Sequence, residues 1–282
     1  MPIYDQSYRP WTGDLDPHPK TWWVIARTGV QLLWKKGMIV WLLISTISFL
    51  VRSVQIYMVT RLQDNPISME LAKHFSVNAS FFVDFFKGQS FFMLIILIMA
   101  GSGIIANDRR VKALQIYFSK PVNFWDYVIG KWCVIAFYGS LITILPALLL
   151  FLLRILFAAD AQFISDYYWI PFSILGFGTL LLVLLGSLML VFSALSKNGR
   201  TAAILFFIVI FFTEIVRALF SRIPSAGIVS VQANLRQTAG LIFNSQLPFE
   251  FSPWASLITM LVLVVLSLFV IKLKIKPTEV VR

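Results

Sequence analysis

The chain has 282 residues, of which 59% are hydrophobic and 13% are charged. Soluble domains usually carry about a quarter of their residues charged, so this composition excludes a purely soluble protein. A transmembrane helix needs about 20 apolar residues, so the length allows about six spans and no separate catalytic domain. The single cysteine, Cys133, excludes an intrachain disulfide, and the two distant histidines suggest no metal-ligand pair.

Six long apolar runs predict six transmembrane helices, which we number as spans 1 to 6: residues 38–57, 90–105, 131–153, 170–195, 202–220 and 254–271. The sequence therefore predicts an all-α integral membrane protein with one transmembrane domain at 38–271. A cytoplasmic tail and an interfacial helix occupy 1–37, and a basic cytoplasmic tail occupies 272–282. Pro146, inside span 3, should kink that helix.

The distribution of basic residues predicts the orientation. If both termini are cytoplasmic, sixteen of the 24 lysines and arginines fall in inner segments and six in outer segments. This distribution follows the positive-inside rule, so we expect both termini in the cytoplasm. Topology alone can account for the excess of basic residues behind the net charge of +11, and binding of anionic lipid headgroups can coexist with it. We expect contact with membrane lipid and no nucleic-acid partner.

Residues 21–36 carry the first amphipathic pattern. A helix through this segment would place apolar residues on one side, namely Trp22, Ile25, Ala26, Gly29, Leu33 and Trp34. The pattern predicts an interfacial helix on the inner leaflet, with its tryptophans at headgroup depth. The alternative is a plain anchor without a mechanistic role.

A second amphipathic segment covers residues 107–131, between spans 2 and 3. Helical spacing places Val111, Leu114 and Phe118 on one face, and polar residues on another: Asp108, Lys112 and Gln115. Pro121 should end this helix, and a capping-box pattern at Asn123 and Asp126 should start the next. The apolar stripe must be covered by a partner protein, by lipid headgroups or by the protein's own first helix.

This segment resembles the ABC-2 type permease family, the membrane subunits of ABC exporters. The stretch ALQIYFSKPV at 113–122, followed by DYVIGK at 126–131, is similar to the family pattern in which Leu-Leu-Ser-x-Pro-Val precedes a Gly-Lys pair. The six spans and the N-terminal helix also fit. Many members have Glu and a Gly-Thr pair where this chain has Asp108 and Lys112-Ala113, so the resemblance assigns no substrate.

The resemblance implies that the first helix of this segment is a coupling helix, which fits a cleft in an ATPase subunit. It implies apolar contacts from Val111, Leu114 and Phe118, and polar contacts with the same ATPase from Asp108, Arg109 and Arg110. The expected complex has two ATPase subunits, which hold ATP and Mg²⁺, and a second permease subunit, identical or related, in the bacterial cytoplasmic membrane. In an alternative function, the subunit transmits conformational work to a periplasmic partner without moving a substrate.

Two charged residues interrupt span 5. Glu214 is the thirteenth residue of the predicted span, about 18 Å from its inner end at 1.5 Å per residue. Arg217 is one turn further on and could neutralise it, and Arg52 of span 1, at a similar depth, is a second candidate partner. The group is either a polar feature of the transport pathway or subunit seam, or a structural ion pair.

The outer segment 221–253 also has two faces. Its apolar face contains Ile228, Val231, Leu235, Ala239 and Ile242, and its polar face contains Ser230, Gln232, Asn234, Arg236 and Gln237. The pattern predicts an amphipathic helix that is either re-entrant or on the outer surface.

The sequence contains none of the common catalytic motifs that we sought. Gly130-Lys131 is not a P-loop, because Trp125 stands at the first glycine position and Trp132 at the Ser/Thr position. HExxH and Gly-x-Ser-x-Gly are also absent. We therefore expect no catalytic residue, no metal site and no cofactor in this chain, and we expect the ATPase partner to hydrolyse ATP.

Overall fold

The computed structural model describes residues 20–62, 77–118, 122–158 and 161–275. These residues form helices and connecting turns, without a β-strand. Six helical segments are long and apolar enough to cross a membrane, so the chain is an all-α, multi-pass membrane protein, as predicted. Most of the two predicted tails, at 1–19 and 276–282, lies outside the described residues.

In chain order the helices are α1 (Thr21–Leu33), α2 (Lys36–Leu62, span 1), α3 (Ala79–Gly101, span 2), α4 (Ala106–Arg110), α5 (Ala113–Phe118), α6 and α7 (Phe124–Ile142 and Ile144–Ala158, span 3), α8 (Ala161–Tyr167), α9 (Ile170–Leu195, span 4), α10 (Gly199–Leu219, span 5), a 3-10 helix (Pro224–Val229), α11 (Val231–Ile242) and α12 (Pro253–Lys274, span 6). Following the charge distribution, we name the end of the bundle with α4 and α5 the inner end and the opposite end the outer end.

Span 4 is the central helix. It packs against spans 2, 3, 5 and 6, and 72% of its most apolar stretch is buried, against 11% for span 1. Close packing depends on small residues, as is common between membrane helices. A Cβ at Gly139 of span 3 would lie 2.3 Å from Leu182 Cδ2 of span 4. The apolar side chains of spans 1 and 5 are largely exposed, as expected for surfaces that face lipid or another subunit.

Span 2 begins earlier than the predicted residue 90. Its first helical residue is Ala79, and Asn78 caps the helix by accepting a hydrogen bond from Phe81 N–H at 3.2 Å. The polar residue Gln89 is buried, and its Nε2 donates to the Ser45 carbonyl of span 1 at 3.3 Å, which supplies a partner for the amide N–H. The helix ends at Gly101, and residues 102–105 form a turn.

Span 3 consists of two helices that meet at Thr143. Pro146 accounts for the break, because it cannot donate to the carbonyl of Ile142 and its ring crowds that carbonyl. The sequence predicted that Pro146 would kink span 3, and in the structure the helix breaks at Thr143, about one turn before this proline.

Span 5 begins at Gly199, three residues before the predicted start. Asn198 caps the helix: its Oδ1 accepts hydrogen bonds from Thr201 N–H at 2.9 Å and from Thr201 Oγ1 at 2.8 Å. Asn at this position satisfies an N–H that the first turn of a helix leaves without a partner.

The apolar side of α1 packs against α6, the inner half of span 3. A Cβ at Gly29 would lie 2.5 Å from Val134 Cγ2, so the two helices are in close contact. Tyr138 Oη donates to the Val30 carbonyl at 2.8 Å. The protein itself therefore covers much of the apolar side of α1, while Trp23 and Trp34 remain more than half exposed.

The polar face predicted for α11 is partly buried. The helix therefore does not have one buried apolar face and one exposed polar face, as its sequence pattern suggested. Asn234 and Gln237 are almost fully buried, because α11 packs against spans 2, 4, 5 and 6. Gln237 Nε2 donates to the carbonyls of Phe249 and Phe251 at 3.0 and 2.6 Å, and its Oε1 accepts from Phe249 N–H at 3.1 Å. The Gln237 side chain thus binds the backbone of the loop that connects α11 to span 6.

Candidate functional site

The turn that leads out of span 2 is fixed by one serine of span 4. Ser193, which is fully buried, accepts hydrogen bonds from the N–H groups of Ile105 and Ala106, each at 3.0 Å. Its Oγ also donates to the Ser102 carbonyl at 2.9 Å. These bonds supply partners for backbone groups that lose them where the helix ends, so the turn is attached to span 4.

Asp108, the first predicted polar contact, forms an ion pair inside the chain. Its Oδ2 lies 2.7 Å from Lys131 Nζ of α6 and accepts a hydrogen bond from Tyr127 Oη at 2.9 Å. The two charged side chains are only 19% and 10% exposed. We name Asp108, Tyr117, Tyr127 and Lys131 the inner cluster.

Two tyrosine rings enclose this ion pair. Lys131 Nζ lies 5.6 Å from the ring centroid of Tyr117 and 5.4 Å from that of Tyr127, within the range of cation–π attraction. Burial raises the pKa of the Tyr117 hydroxyl, and the Asp108 carboxylate raises it further because it disfavours a second negative charge. The Tyr117 hydroxyl therefore stays protonated, and its ring adds no charge to the inner cluster.

Arg109, the second predicted polar contact, donates from its guanidinium to the Ala194 carbonyl of span 4. Ala194 lies in the last turn of α9, where carbonyl groups have no partner within the helix and the helix dipole favours a positive charge. Together with Ser193, this contact makes the end of span 4 the support of the segment between spans 2 and 3.

The predicted single coupling helix is wrong in one respect, because the segment forms two short helices. The chain bends at Val111 and Lys112, and Lys112 has a φ of 55°, which a continuous helix does not allow. The apolar stripe is therefore divided. Val111 is 64% exposed, whereas Leu114 is half-buried against the core. The side chain of Phe118 lies outside the described residues, as does Pro121.

A cavity of about 730 Å³ opens beside the inner cluster. Its walls come from the end of α1, the end of span 2, α4, Lys131 of α6 and the start of span 5. Arg110, the third predicted polar contact, and Arg200 both line it and are exposed. The inner end thus combines a rigid internal ion pair with two exposed cations at a concave surface.

The predicted pair at Glu214 is present at the outer end of span 5. Arg217 Nη2 lies 2.7 Å from Glu214 Oε1, and Arg236 Nη1 of α11 lies 3.9 Å from the same oxygen. The Ser230 hydroxyl donates to Glu214 Oε2 at 2.5 Å and accepts from Ala233 N–H at 3.1 Å as the cap of α11. We name Glu214, Arg217, Ser230 and Arg236 the outer cluster.

The structure shows where Glu214 lies along α10 and which contacts Arg52 makes. Because α10 runs from Gly199 to Leu219, Glu214 lies roughly 22 Å from its start at 1.5 Å per residue, closer to the outer end of the helix than to its inner end. Arg52 donates to Gln55 Oε1 at 2.8 Å and lies over the Phe81 ring, 5.2 Å from its centroid. The structure thus brings Glu214 together with Arg217, while the contacts of Arg52 are with Gln55 and Phe81.

Sequence reasoning missed the residues that join these clusters to other elements. Tyr127 lies one turn before Lys131 on the same helix face, a spacing that could have linked it to the ion pair. Ser230 directly precedes a helical pattern and could have been recognised as a cap. Ser193 and Arg236 gave no local signal, because their partners are distant in the sequence or depend on how α11 packs.

Among the residues that the structure describes, no group of three or more His, Cys, Asp or Glu side chains could hold a metal ion. No protein-family model matches the chain, and the comparison with curated proteins gives no match. The architecture and the two clusters therefore provide the observations from which a function can be inferred.

Proposed function

We propose that the chain is the membrane subunit of an ABC exporter of the ABC-2 type in the bacterial cytoplasmic membrane, with both termini in the cytoplasm. Two copies of a separate ATPase subunit hydrolyse ATP, and a second permease subunit, identical or related, completes the transmembrane pathway. In this proposal the segment 106–118 receives the movement of the ATPase and passes it to the spans.

The observation that carries this proposal is the attachment of the segment 106–118 to two spans. Asp108 connects it to Lys131 of span 3, while Arg109 and the Ser193 turn connect it to span 4. Span 4 is the central helix of the bundle and packs against four other spans. A force on this short segment would therefore be transmitted to most of the bundle, which is what coupling to an ATPase requires.

The exposed side of the same segment supports a docking role. Val111 is 64% exposed at the bend between α4 and α5, beside the exposed side chains of Arg110 and Lys112. An exposed apolar side chain next to charged residues has the character of an interface residue with a polar rim. The proposal thus moves the main apolar contact from Leu114, which packs inward, to Val111.

We expect Val111→Asp to abolish co-purification of the ATPase subunit, or to leave it bound but uncoupled. Placing an unpaired carboxylate in an apolar interface should weaken the complex by about 2 kcal/mol or more. The measurement is affinity purification from the native host followed by an ATPase assay in liposomes. Gln115→Glu, which adds the same charge at another exposed position of the segment, is the matched control and should retain the ATPase.

Normal ATPase recovery and normal coupled turnover in Val111→Asp would reject the coupling role. Substrate-stimulated ATPase activity would distinguish export from a second candidate, transmission of conformational work to a periplasmic partner. The observation that favours the second candidate is the outer cluster, which ties span 5 to α11 through Ser230 and so could move an outer surface.

A further inference from the structure

The inner cavity has a position that suits a lipid. The segments that form its walls, at the ends of α1 and span 2 and the start of span 5, all lie at the inner end. This is also the end where the sequence concentrates lysine and arginine. In a membrane, the ends of spans lie at the depth of the lipid headgroups. A cavity of about 730 Å³ at this depth is large enough for a headgroup and the first part of its acyl chains.

The charges on the cavity favour an anion. Lys131 is neutralised by Asp108, so the pair adds no net charge. Arg110 and Arg200 also line the cavity, and within the described part of the chain no ion pair involves either of them. Two exposed guanidinium groups beside one concavity are well suited to a phosphate, which arginine binds through two hydrogen bonds at once.

The remaining walls are apolar. Leu32 and Leu33 of α1 face the cavity together with Met99 and Ile104, and Leu32 is 66% exposed. Gly103 and Gly199, which also line the cavity, are in close contact: a Cβ at Gly199 would lie 3.1 Å from Gly103 Cα. A cationic rim with an apolar wall matches an anionic amphiphile better than it matches a small soluble anion.

We propose that this cavity binds the phosphate headgroup of an anionic phospholipid of the inner leaflet, with Arg110 and Arg200 as its phosphate ligands. The inference goes beyond the proposed function, because it requires only a membrane protein and not an ATPase partner. An acidic surface of the ATPase is the rival occupant. The concave shape and the apolar wall favour the lipid, since a protein helix would need a matching projection to reach both arginines.

The test uses the full chain in detergent, titrated with short-chain phosphatidylglycerol and followed by native mass spectrometry. The double variant Arg110→Gln/Arg200→Gln should weaken binding by about 25-fold, because each basic residue near a lipid phosphate contributes on the order of a fivefold change. Lys112→Gln/Lys197→Gln is the matched control, with the same charge change at exposed residues of the same two segments that do not line the cavity. It should bind as the wild type does.

Further measurements distinguish an anionic phospholipid from the other groups that could bind Arg110 and Arg200. Glycerol phosphate and short-chain phosphatidylcholine should compete poorly with phosphatidylglycerol; equal competition by either would overturn the proposal of an anionic lipid. Equal weakening by the cavity variant and the control variant would show a diffuse charge effect and would also overturn it. If only ATPase recovery falls in the cavity variant while lipid binding is unchanged, the arginines bind the ATPase and the lipid site is refuted.

Discussion

The inner and outer clusters each contain one carboxylate that links two helices, but the two carboxylates differ in their cationic partners. In each, one carboxylate joins a helix that does not span the membrane to a helix that does: Asp108 joins α4 to span 3, and Glu214 of span 5 is joined to α11. The inner carboxylate has one cationic partner, Lys131. The outer carboxylate has two, Arg217 and Arg236, and one of them lies on its own helix.

This difference in partners should produce a difference in tolerance. Removal of the inner carboxylate leaves an ammonium group that is only 10% exposed, with no other charge to balance it in the inner cluster. Removal of the outer carboxylate leaves two guanidinium groups, but Arg236 is 39% exposed and can reach polar surroundings. We therefore expect the inner cluster to be the more sensitive of the two.

The largest effect is expected from Asp108→Asn. The substitution strands the Lys131 ammonium, and breaking a buried ion pair from one side costs roughly 3 kcal/mol. The yield of folded protein in detergent should fall, and its thermal unfolding should shift to lower temperature. Asp84→Asn is the control, because Asp84 is exposed and the same chemical change should have little effect there.

A second variant tests whether the loss comes from the unbalanced charge. Asp108→Leu/Lys131→Met replaces both charges with apolar groups and should recover part of the stability that Asp108→Asn loses, because the buried Tyr127 hydroxyl still lacks the acceptor that Asp108 provides. If Asp108→Asn is as stable as the wild type, the two clusters do not differ in the way their geometry implies, and the comparison fails.

The sequence predicted the spans well because long apolar runs have few alternatives in a membrane. The predicted span 4 has the observed bounds, 170–195. Span 2 was predicted too short, because Gln89, Lys87 and Asp84 resemble a polar loop in the sequence. In the structure Gln89 bonds to span 1, a tertiary contact that residue spacing does not reveal.

The contacts within the two clusters could be predicted from the sequence only in part. Glu214 was correctly paired with Arg217, because its partner is one turn away on the same helix. Asp108 was predicted only as a contact with an ATPase subunit. The partner of Asp108 was missed because Lys131 is distant in the sequence. Helical periodicity also missed the bend at Lys112, because the apolar spacing of the segment gives no sign of a residue with a φ of 55°.

An intermediate effect is expected from Ser193→Ala, which tests the other attachment of the inner segment. The substitution leaves the N–H groups of Ile105 and Ala106 without their partner in a fully buried site, at a cost of about 2 kcal/mol. Ser187→Ala is the control, because that buried serine of the same helix bonds only to the carbonyl of Leu184 within it. Equal melting temperatures for the two variants would show that Ser193 does not hold the turn.

The smallest effect is expected from Glu214→Gln. The amide oxygen can still accept from Arg217, and the amide N–H can donate to the Ser230 hydroxyl in place of the bond that Glu214 accepts from it, so the main loss is the charge, at about 1 kcal/mol. If the outer cluster is only a structural tie, the yield of folded protein should fall slightly and activity per folded molecule should be unchanged. If the carboxylate takes part in the pathway, activity should fall more than yield, as measured by ATPase turnover in liposomes.

The double variant Glu214→Leu/Arg217→Leu separates these two roles. It removes the ion pair without leaving a stranded charge on span 5, while Ser230 still caps α11 and Arg236 remains partly exposed. Its yield should therefore return to the level of the wild type, because well-packed apolar residues can replace a buried pair at little cost. Full activity in this variant would assign the pair to packing alone. Normal yield without activity would show that the carboxylate at the outer end of span 5 has a role that packing does not explain.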